Sequence, residues 1–114
     1  MPFYMTQWTY KDEEIRQMVI HPQDREEVVR IAVEALGGQL HGFYFTFGEY
    51  DGACITEFPD KETVLACLLL IVGHGAAATI KTTTLFTQEE FRVALKSANE
   101  LFPRSGYGPP SRTH

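Results

Sequence analysis

The sequence has few basic residues, few cysteines and no long apolar segment. It contains 10 Lys and Arg against 15 Asp and Glu, for a net charge of -5. No stretch clusters basic residues with aromatic ones, so binding to a phosphate backbone is not expected and no nucleic-acid partner is predicted. The longest apolar run, residues 64–72, is about half of the roughly 20 residues that a membrane span needs. We therefore expect no membrane partner.

The first ten residues have neither the basic end nor the apolar stretch of a signal peptide, which predicts a cytoplasmic location. Cys54 and Cys67 are too few for a disulfide framework, and each sits among apolar neighbours, so both are interpreted as buried free thiols. The four histidines show no metal-ligand spacing, and no phosphate-binding, dinucleotide or nucleophile motif occurs. We predict no metal and no organic cofactor.

The first half of the chain predicts one strand, a helical segment and a hairpin. A β-favouring segment, residues 2–10, is followed by a short helical turn, residues 12–19. Next comes an amphipathic helix with Pro22 near its start and with Gly37 and Gly38 at its end. Two strands, residues 39–47 and 52–58, are joined by four residues as a hairpin.

The second half predicts two more helices around one strand. Asp60 can cap a helix that continues to Gly73, and a threonine-rich strand covers residues 78–86. Thr87 and Glu90 have the spacing of a capping box, which starts a last helix. The order β-α-β-β-α-β plus a C-terminal helix predicts an α+β, ferredoxin-like domain. We assign residues 1–102 to this domain and residues 103–114 to an irregular tail rich in Pro and Gly.

The strands carry few charges on either face of the predicted sheet. Strict alternation places His41, Phe43, Phe45 and Phe47 on one face, and Glu57 and Lys81 are the only permanent charges in all four strands. The helix over residues 64–72 is apolar all round, which implies burial on two sides. An uncovered apolar sheet face would be a larger exposed apolar patch than monomers usually have. We therefore predict a homodimer, or a higher homo-oligomer, that associates through the sheet face.

The hairpin sequence FGEYDG has two interpretations. As a turn, Gly48 would take a positive φ and Asp51 would accept hydrogen bonds from turn amides, so that Gly48→Val would be severe. As a site, Glu49, Tyr50 and Asp51 would form a proton-transfer cluster at the mouth of a cavity. The turn interpretation is favoured because such residues are ordinary in hairpins.

Three further residues are candidates for a ligand pocket: His41 and Tyr44 on the second strand, and His74 at a helix end. A core or capping histidine is the more common role for each histidine. Glu57 within a strand is either solvated at an edge or paired, with Lys81 as the candidate partner. Any pocket should lie between sheet and helices and be lined by aromatic side chains.

The sequence contains four short motifs: Gly-Glu-Tyr-Asp at residues 48–51, Glu-Phe-Pro-Asp at residues 57–60, MPFY at the start and FTQEEF near the end. Together they resemble the GYD domain family. By motif, the family's namesake positions fall on Gly48, Tyr50 and Asp51. The resemblance implies a ferredoxin-like fold of the dimeric α/β barrel kind and a family without an established activity. It leaves two functional hypotheses: a homodimer that binds a small apolar or aromatic molecule, or a cofactor-independent monooxygenase or isomerase, which has support only by analogy of fold.

Overall fold

The computed structural model describes residues 1–104, which form a four-stranded sheet and four α-helices. In chain order the elements are β1 (Phe3–Tyr10), α1 (Asp12–Ile20), α2 (Arg25–Ala35), β2 (Gln39–Phe45), β3 (Gly52–Glu57), α3 (Lys61–Gly73), β4 (Ala77–Leu85) and α4 (Gln88–Leu101), with a 3-10 turn at Phe102–Arg104. The predicted tail lies outside the described residues from position 105 onward.

The sheet has the strand order β2-β3-β1-β4, and every neighbouring pair is antiparallel. Each helical connection joins two strands that have one other strand between them in the sheet: β3 lies between β1 and β2, and β1 lies between β3 and β4. This is the split β-α-β arrangement of the ferredoxin-like fold. The predicted fold class is therefore confirmed for the single chain.

Local sequence sets the helix ends as predicted. Asp60 accepts a hydrogen bond from the Thr63 amide at 2.8 Å and starts α3. Thr87 and Glu90 form the complete capping box of α4. Gly37, with φ of 82°, and Gly75, with φ of 78°, follow α2 and α3 in the left-handed conformation that glycine adopts without strain.

Two element predictions were wrong in extent. The segment after β1 is a nine-residue helix, α1, instead of one short turn. Pro22 lies between α1 and α2 instead of inside the second helix, because α2 begins only after its N-cap Asp24. The Asp24 carboxylate accepts the Glu27 amide hydrogen at 3.0 Å. That cap fixes the start of α2 at a point beyond the proline.

The core lies between one face of the sheet and helices α2 and α3. Val33 and Phe58 are the most deeply buried large side chains, and they pack with Tyr4, Val64 and Cys67. A second cluster, Trp8, Leu40 and Cys54, continues this layer along the sheet. The alternation of buried residues along β1 and β3 is regular, so their other side chains point to the opposite face. We call that opposite side the open face.

A bulge at His41 changes the predicted pattern of β2. The pairing with β3 shifts between Leu40 and Gly42, so that Leu40 lies opposite Thr56 and Phe43 lies opposite Cys54. Because the extra residue reverses the alternation, Phe43 contacts Trp8 on the helix side, whereas His41 contacts Phe3 on the open face. The prediction that His41 and Phe43 share a face was wrong for this reason.

Helix α4 is exposed along its whole length. Phe91, Val93, Leu95 and Leu101 are each about half exposed. The Cα radius of gyration is 19.2 Å and the longest dimension is 63 Å, whereas a compact chain of roughly 100 residues has a radius near 13 Å. The chain is therefore elongated, and its last helix presents apolar side chains to solvent.

Candidate ligand site

An aromatic cluster occupies the helix side of the sheet where β1 ends. The indole of Trp8 lies 5.3 Å from the Phe43 ring and 6.2 Å from the Tyr10 ring, between ring centroids. Trp8 can lie flat on β3 only because residue 52 is glycine: a Cβ there would be 2.3 Å from Cζ2 of the indole. Gly52 thus positions the largest aromatic side chain of the cluster.

Beside this cluster is a cavity of about 130 Å³ between the sheet and the helices. Its walls are mostly apolar, and an apolar cavity of about 150 Å³ can hold a benzene molecule. The space therefore fits a molecule with one ring. The lining residues are Trp8, Tyr10, Arg25, Val28, Val29, Ile71, His74, Ala76 and Ala77.

Arg25 brings the main positive charge to this cavity. It is the first residue of α2, and its guanidinium lies 5.9 Å from the centroid of the Tyr10 ring. It also forms an ion pair with Glu14 of α1. The Nε atom of Arg25 is buried and has no hydrogen-bond acceptor among the described residues.

Tyr10 supplies a hydroxyl group to the same cavity. Burial raises the pKa of this phenol and is the largest effect. A hydrogen bond from the Trp8 side chain and the charge of Arg25 lower the pKa in part, and the carboxylates of Glu14 and Asp51 raise it by smaller amounts. Tyr10 is therefore protonated at neutral pH and is able to donate a hydrogen bond.

Asp51 fixes the end of β1 rather than the hairpin turn. Its carboxylate accepts the Tyr10 amide hydrogen at 2.8 Å, and its own amide donates to the Trp8 carbonyl at 2.8 Å. The prediction that this carboxylate accepts hydrogen bonds from turn amides was wrong, because it accepts one from the neighbouring strand β1 instead. Asp51 thereby holds the backbone of two cavity residues.

We expect Asp51→Ala to lower the free energy of unfolding by about 1–3 kcal/mol, since the partly buried Tyr10 amide loses its acceptor. Asp51→Asn retains one side-chain oxygen and should lose less than Asp51→Ala. Urea unfolding of the two variants measures the difference. Equal losses would show that the bond to the Tyr10 amide contributes little.

The hairpin glycine does not have the predicted conformation. Positive φ angles in the described chain occur only at Gly37 and Gly75, and a Cβ at Gly48 would have no atom within 4 Å. The expectation of a severe Gly48→Val variant therefore loses its basis. Thr46 closes the loop instead: its hydroxyl donates to the Tyr50 carbonyl at 2.6 Å and its amide to the Asp51 carbonyl at 2.9 Å.

The other sequence candidates are divided between separate places. Glu49 and Tyr50 line a shallow, open cleft with Gln7 and Phe47, apart from the cavity. Tyr44 is exposed and folds over Gly42, where a Cβ would be 2.9 Å from Cε2 of the tyrosine. Of the six candidates only His74 lines the cavity, while Asp51 supports it through the backbone.

His41 has partners on the open face. Its ring lies 5.1 Å from the Phe3 ring, and its Nε2 is 2.8 Å from the Glu57 carboxylate. Both predicted roles of Glu57 were wrong. Its strand, β3, is not at an edge of the sheet, and β1 lies between β3 and β4 and places Lys81 opposite Gln7. Within residues 1–104 no group of three His, Cys, Asp or Glu side chains could hold a metal ion.

Comparison with known proteins identifies the family. The sequence matches the GYD domain over residues 4–95, which is most of the chain. The chain belongs to the GYD domain family. No curated protein matches it significantly.

One similar solved structure supports the fold of this GYD protein. It matches the crystal structure of MtbAldR with a TM-score of 0.51 at 15% sequence identity. The match covers 76% of this chain and 53% of the MtbAldR chain, so the GYD protein spans about half of that chain's length. At this level of identity the similarity concerns the fold alone. No helix in the described part of the GYD chain is long and apolar enough to cross a membrane.

Sequence reasoning missed Trp8, Tyr10 and Arg25 as cavity residues of the GYD protein. The alternation of Tyr4, Trp8 and Tyr10 along β1 was a signal that these rings share a face. Nothing in the sequence around Arg25 connects it to Tyr10, because the two are brought together by helix packing. His74 was found because it follows the helix that forms the cavity wall.

The two thiols of the GYD protein are both buried, as predicted, and unpaired. Burial raises the pKa of Cys54 to about 12 and raises that of Cys67 as well. We expect both to react slowly with a thiol reagent at pH 8 in the native protein and rapidly after unfolding, since only the thiolate reacts. Fast native labelling of either residue would contradict the burial.

The raised pKa of Cys54 also predicts how the free energy of unfolding depends on pH. The folded thiol keeps its proton to about pH 12, whereas the unfolded thiol loses it above the ordinary value of 9.0. Its contribution to stability is therefore complete below pH 9 and is lost as the pH rises toward 12. We expect Cys54→Ala to make the fall in unfolding free energy between pH 9 and 11 less steep than in the wild type, as measured by urea unfolding.

Proposed function

We propose that this GYD protein binds a small aromatic or apolar molecule in the cavity beside Trp8. One observation supports the proposal most directly: an apolar space of about 130 Å³ is walled by aromatic rings and has an arginine at its edge. Pockets of this kind, with apolar walls and a few polar groups, are typical ligand sites. The two reduced, buried thiols are consistent with a cytoplasmic location.

Binding can be tested by reducing the space. Ala77 lines the cavity, whereas Ala78 next to it is exposed. Ala77→Leu should abolish binding of single-ring compounds, and the matched variant Ala78→Leu should bind as the wild type does. Calorimetric titration of a panel of such compounds, with circular dichroism to verify folding, distinguishes the two variants. Equal binding by both variants would place the ligand elsewhere.

We also propose that the protein is a homodimer that associates through the open face. This face carries Phe3 and Met5 of β1, Ile55 of β3 and Leu85 of β4, and no element of the described chain covers it as α2 and α3 cover the other. The exposed apolar residues of α4 and the outer side of α3, where Leu65 and Leu69 are more than half exposed, offer further contact surface. Apolar side chains that no other part of the chain covers are typical of subunit interfaces.

Light scattering at micromolar concentration should give about twice the chain mass of 12.9 kDa, or a higher multiple. Ile55→Lys places a charge at the centre of the open face and should produce a monomer. Ile20→Lys, at an exposed position of α1, should leave the mass of the assembly unchanged. A wild-type monomer would exclude the homodimer.

An enzyme without cofactor is the second candidate function. Tyr10, which stays protonated, and His74 line the same cavity, and such a pair can move a proton on a bound molecule. Mass spectrometry of compounds after incubation tests this alternative. Conversion by the wild type, with binding but no conversion by Tyr10→Phe, would favour the enzyme; unchanged compounds would favour binding alone.

A further inference from the structure

Helix α4 carries an apolar stripe that nothing in residues 1–104 covers. Phe91, Leu95 and Leu101 recur at the spacing of one helix face, with the small residues Ala94 and Ala98 between them. We call these five residues the α4 stripe. All five are exposed, and α4 has no buried residue. Because an amphipathic helix is stabilised mainly by the packing of its apolar face, the α4 stripe needs a surface to pack on.

The outer side of α3 is a second uncovered apolar surface. Leu65, Leu69 and Val72 follow one another at helical spacing, and each is more than half exposed. We call these three residues the α3 stripe. No charged residue occurs between Glu62 and His74, whereas α2 has charged residues in each of its turns. Of the two helices that pack on the sheet, α3 is therefore the one whose outer side is apolar.

We infer that α4 of each chain packs with its stripe on the α3 stripe of a second copy of this chain. The inference rests on the proposed homodimer and names a contact within it. A second copy fits because each chain has one stripe of each kind, so that a two-fold arrangement makes the same contact twice and covers all four stripes. Pairing α4 with the partner's α4 would leave both α3 stripes exposed.

The position and length of α4 agree with this contact. Leu85 at the end of β4 lies on the open face opposite Phe3, and only Phe86 and Thr87 separate it from α4. The helix therefore leaves the sheet at the border of the proposed interface. Facing sheets lie about 10 Å apart, and the 14 residues of α4 extend about 21 Å. This length is sufficient to pass the edge of the partner's sheet and reach its helix layer.

Charges on opposite sides of α4 test the stripe. Leu95→Glu places a charge within it, and Val93→Glu places the same charge on the other side of the helix. The two wild-type side chains are matched, at 53% and 54% exposure. We expect Leu95→Glu to raise the dissociation constant of the dimer about tenfold or more, and Val93→Glu to change it less than about twofold. Light scattering over a dilution series measures both constants, and equal effects would overturn the inference.

A spin label on α4 tests which surface it contacts. Lys96→Cys places a nitroxide on the side of α4 away from the stripe, and the two native thiols are buried and should react slowly. Full-length labelled chains are mixed with isotope-labelled wild type, so that NMR detects only effects on the other copy. We expect the amide signals of residues 65–72 to broaden and to recover when the nitroxide is reduced. Adding Leu95→Glu to the spin-labelled chain should abolish the broadening, and adding Val93→Glu should preserve it.

The outcomes separate this inference from the proposed homodimer. A dimer in which the α3 signals keep their intensity, or in which only strands of the open face broaden, would overturn the inference and leave the homodimer intact. Spin-labelled, isotope-labelled chains diluted into unlabelled wild type report on α3 of the same chain. Broadening there, without an effect between chains, would show that α4 folds back on its own α3 and would also overturn the inference. A wild-type monomer would refute both proposals.

Discussion

We expect Gly52→Ala to be among the most destabilising single substitutions in this protein, although it adds only one methyl group. The new Cβ would lie 2.3 Å from Cζ2, 2.4 Å from Cε2 and 2.8 Å from Nε1 of the Trp8 indole. The indole cannot remain on β3 at these distances, and its movement disrupts the packing against Phe43. Overpacking of this kind costs about 3 kcal/mol or more when the backbone has to move.

Urea unfolding followed by circular dichroism measures this loss, and two controls isolate its cause. Gly48→Ala makes the same change where no atom lies within 4 Å, and it should change the free energy of unfolding by less than about 0.5 kcal/mol. In a Trp8→Phe background the second ring of the indole is missing, so Gly52→Ala should be much less destabilising. An equal loss in both backgrounds would contradict the role given to Gly52.

Phe58→Ala should lower the free energy of unfolding by about 3–5 kcal/mol, because it empties the centre of the core. Phe58 is 1% exposed and packs with Val33 and Tyr4. Phe47→Ala removes the same atoms from a side chain that is 106% exposed at the hairpin, and it should have almost no effect on unfolding.

Both alanine variants should be measured at one protein concentration, because association adds to apparent stability. If Phe47→Ala is as destabilising as Phe58→Ala, Phe47 is buried in an assembly. The single-chain description of the hairpin would then be incomplete.

The order of the elements could be predicted because local signals mark their ends. Asp60, the Thr87 and Glu90 pair, and Gly37 each fix a helix terminus by hydrogen bonds within a few residues. Such signals act over short stretches of chain and are visible in the sequence. The fold class followed from them directly.

The arrangement of side chains on the sheet could not be predicted in the same way. The bulge at His41 reverses the faces of β2 from that point. Gly42 was a sign of it, because a glycine inside a strand is typical of a bulge, but the sequence does not show which way the register shifts. The partner of Glu57 depends on which strands are neighbours, and this placed His41 beside it instead of Lys81.

The cavity belongs to the same class of long-range features. Its general position between sheet and helices was expected from the fold. The contact of Arg25 with the Tyr10 ring and the packing of Trp8 against Gly52 depend on tertiary structure. The FGEYDG sequence was noticed because of its turn residues. Asp51 and Gly52 instead position two residues that line the cavity. Asp51 binds the Tyr10 amide, and Gly52 leaves room for the Trp8 ring.

The exposure of α4 has a consequence for amide hydrogen exchange. A helix of 14 residues is marginally stable in water when nothing packs against it, even with a complete capping box at its first turn. In an isolated chain the amides after that turn should exchange within the fast phase, while those of β1 and β3 stay protected. If two chains hold α4 between them, its protection rises with protein concentration, and the exchange pattern then reports assembly residue by residue.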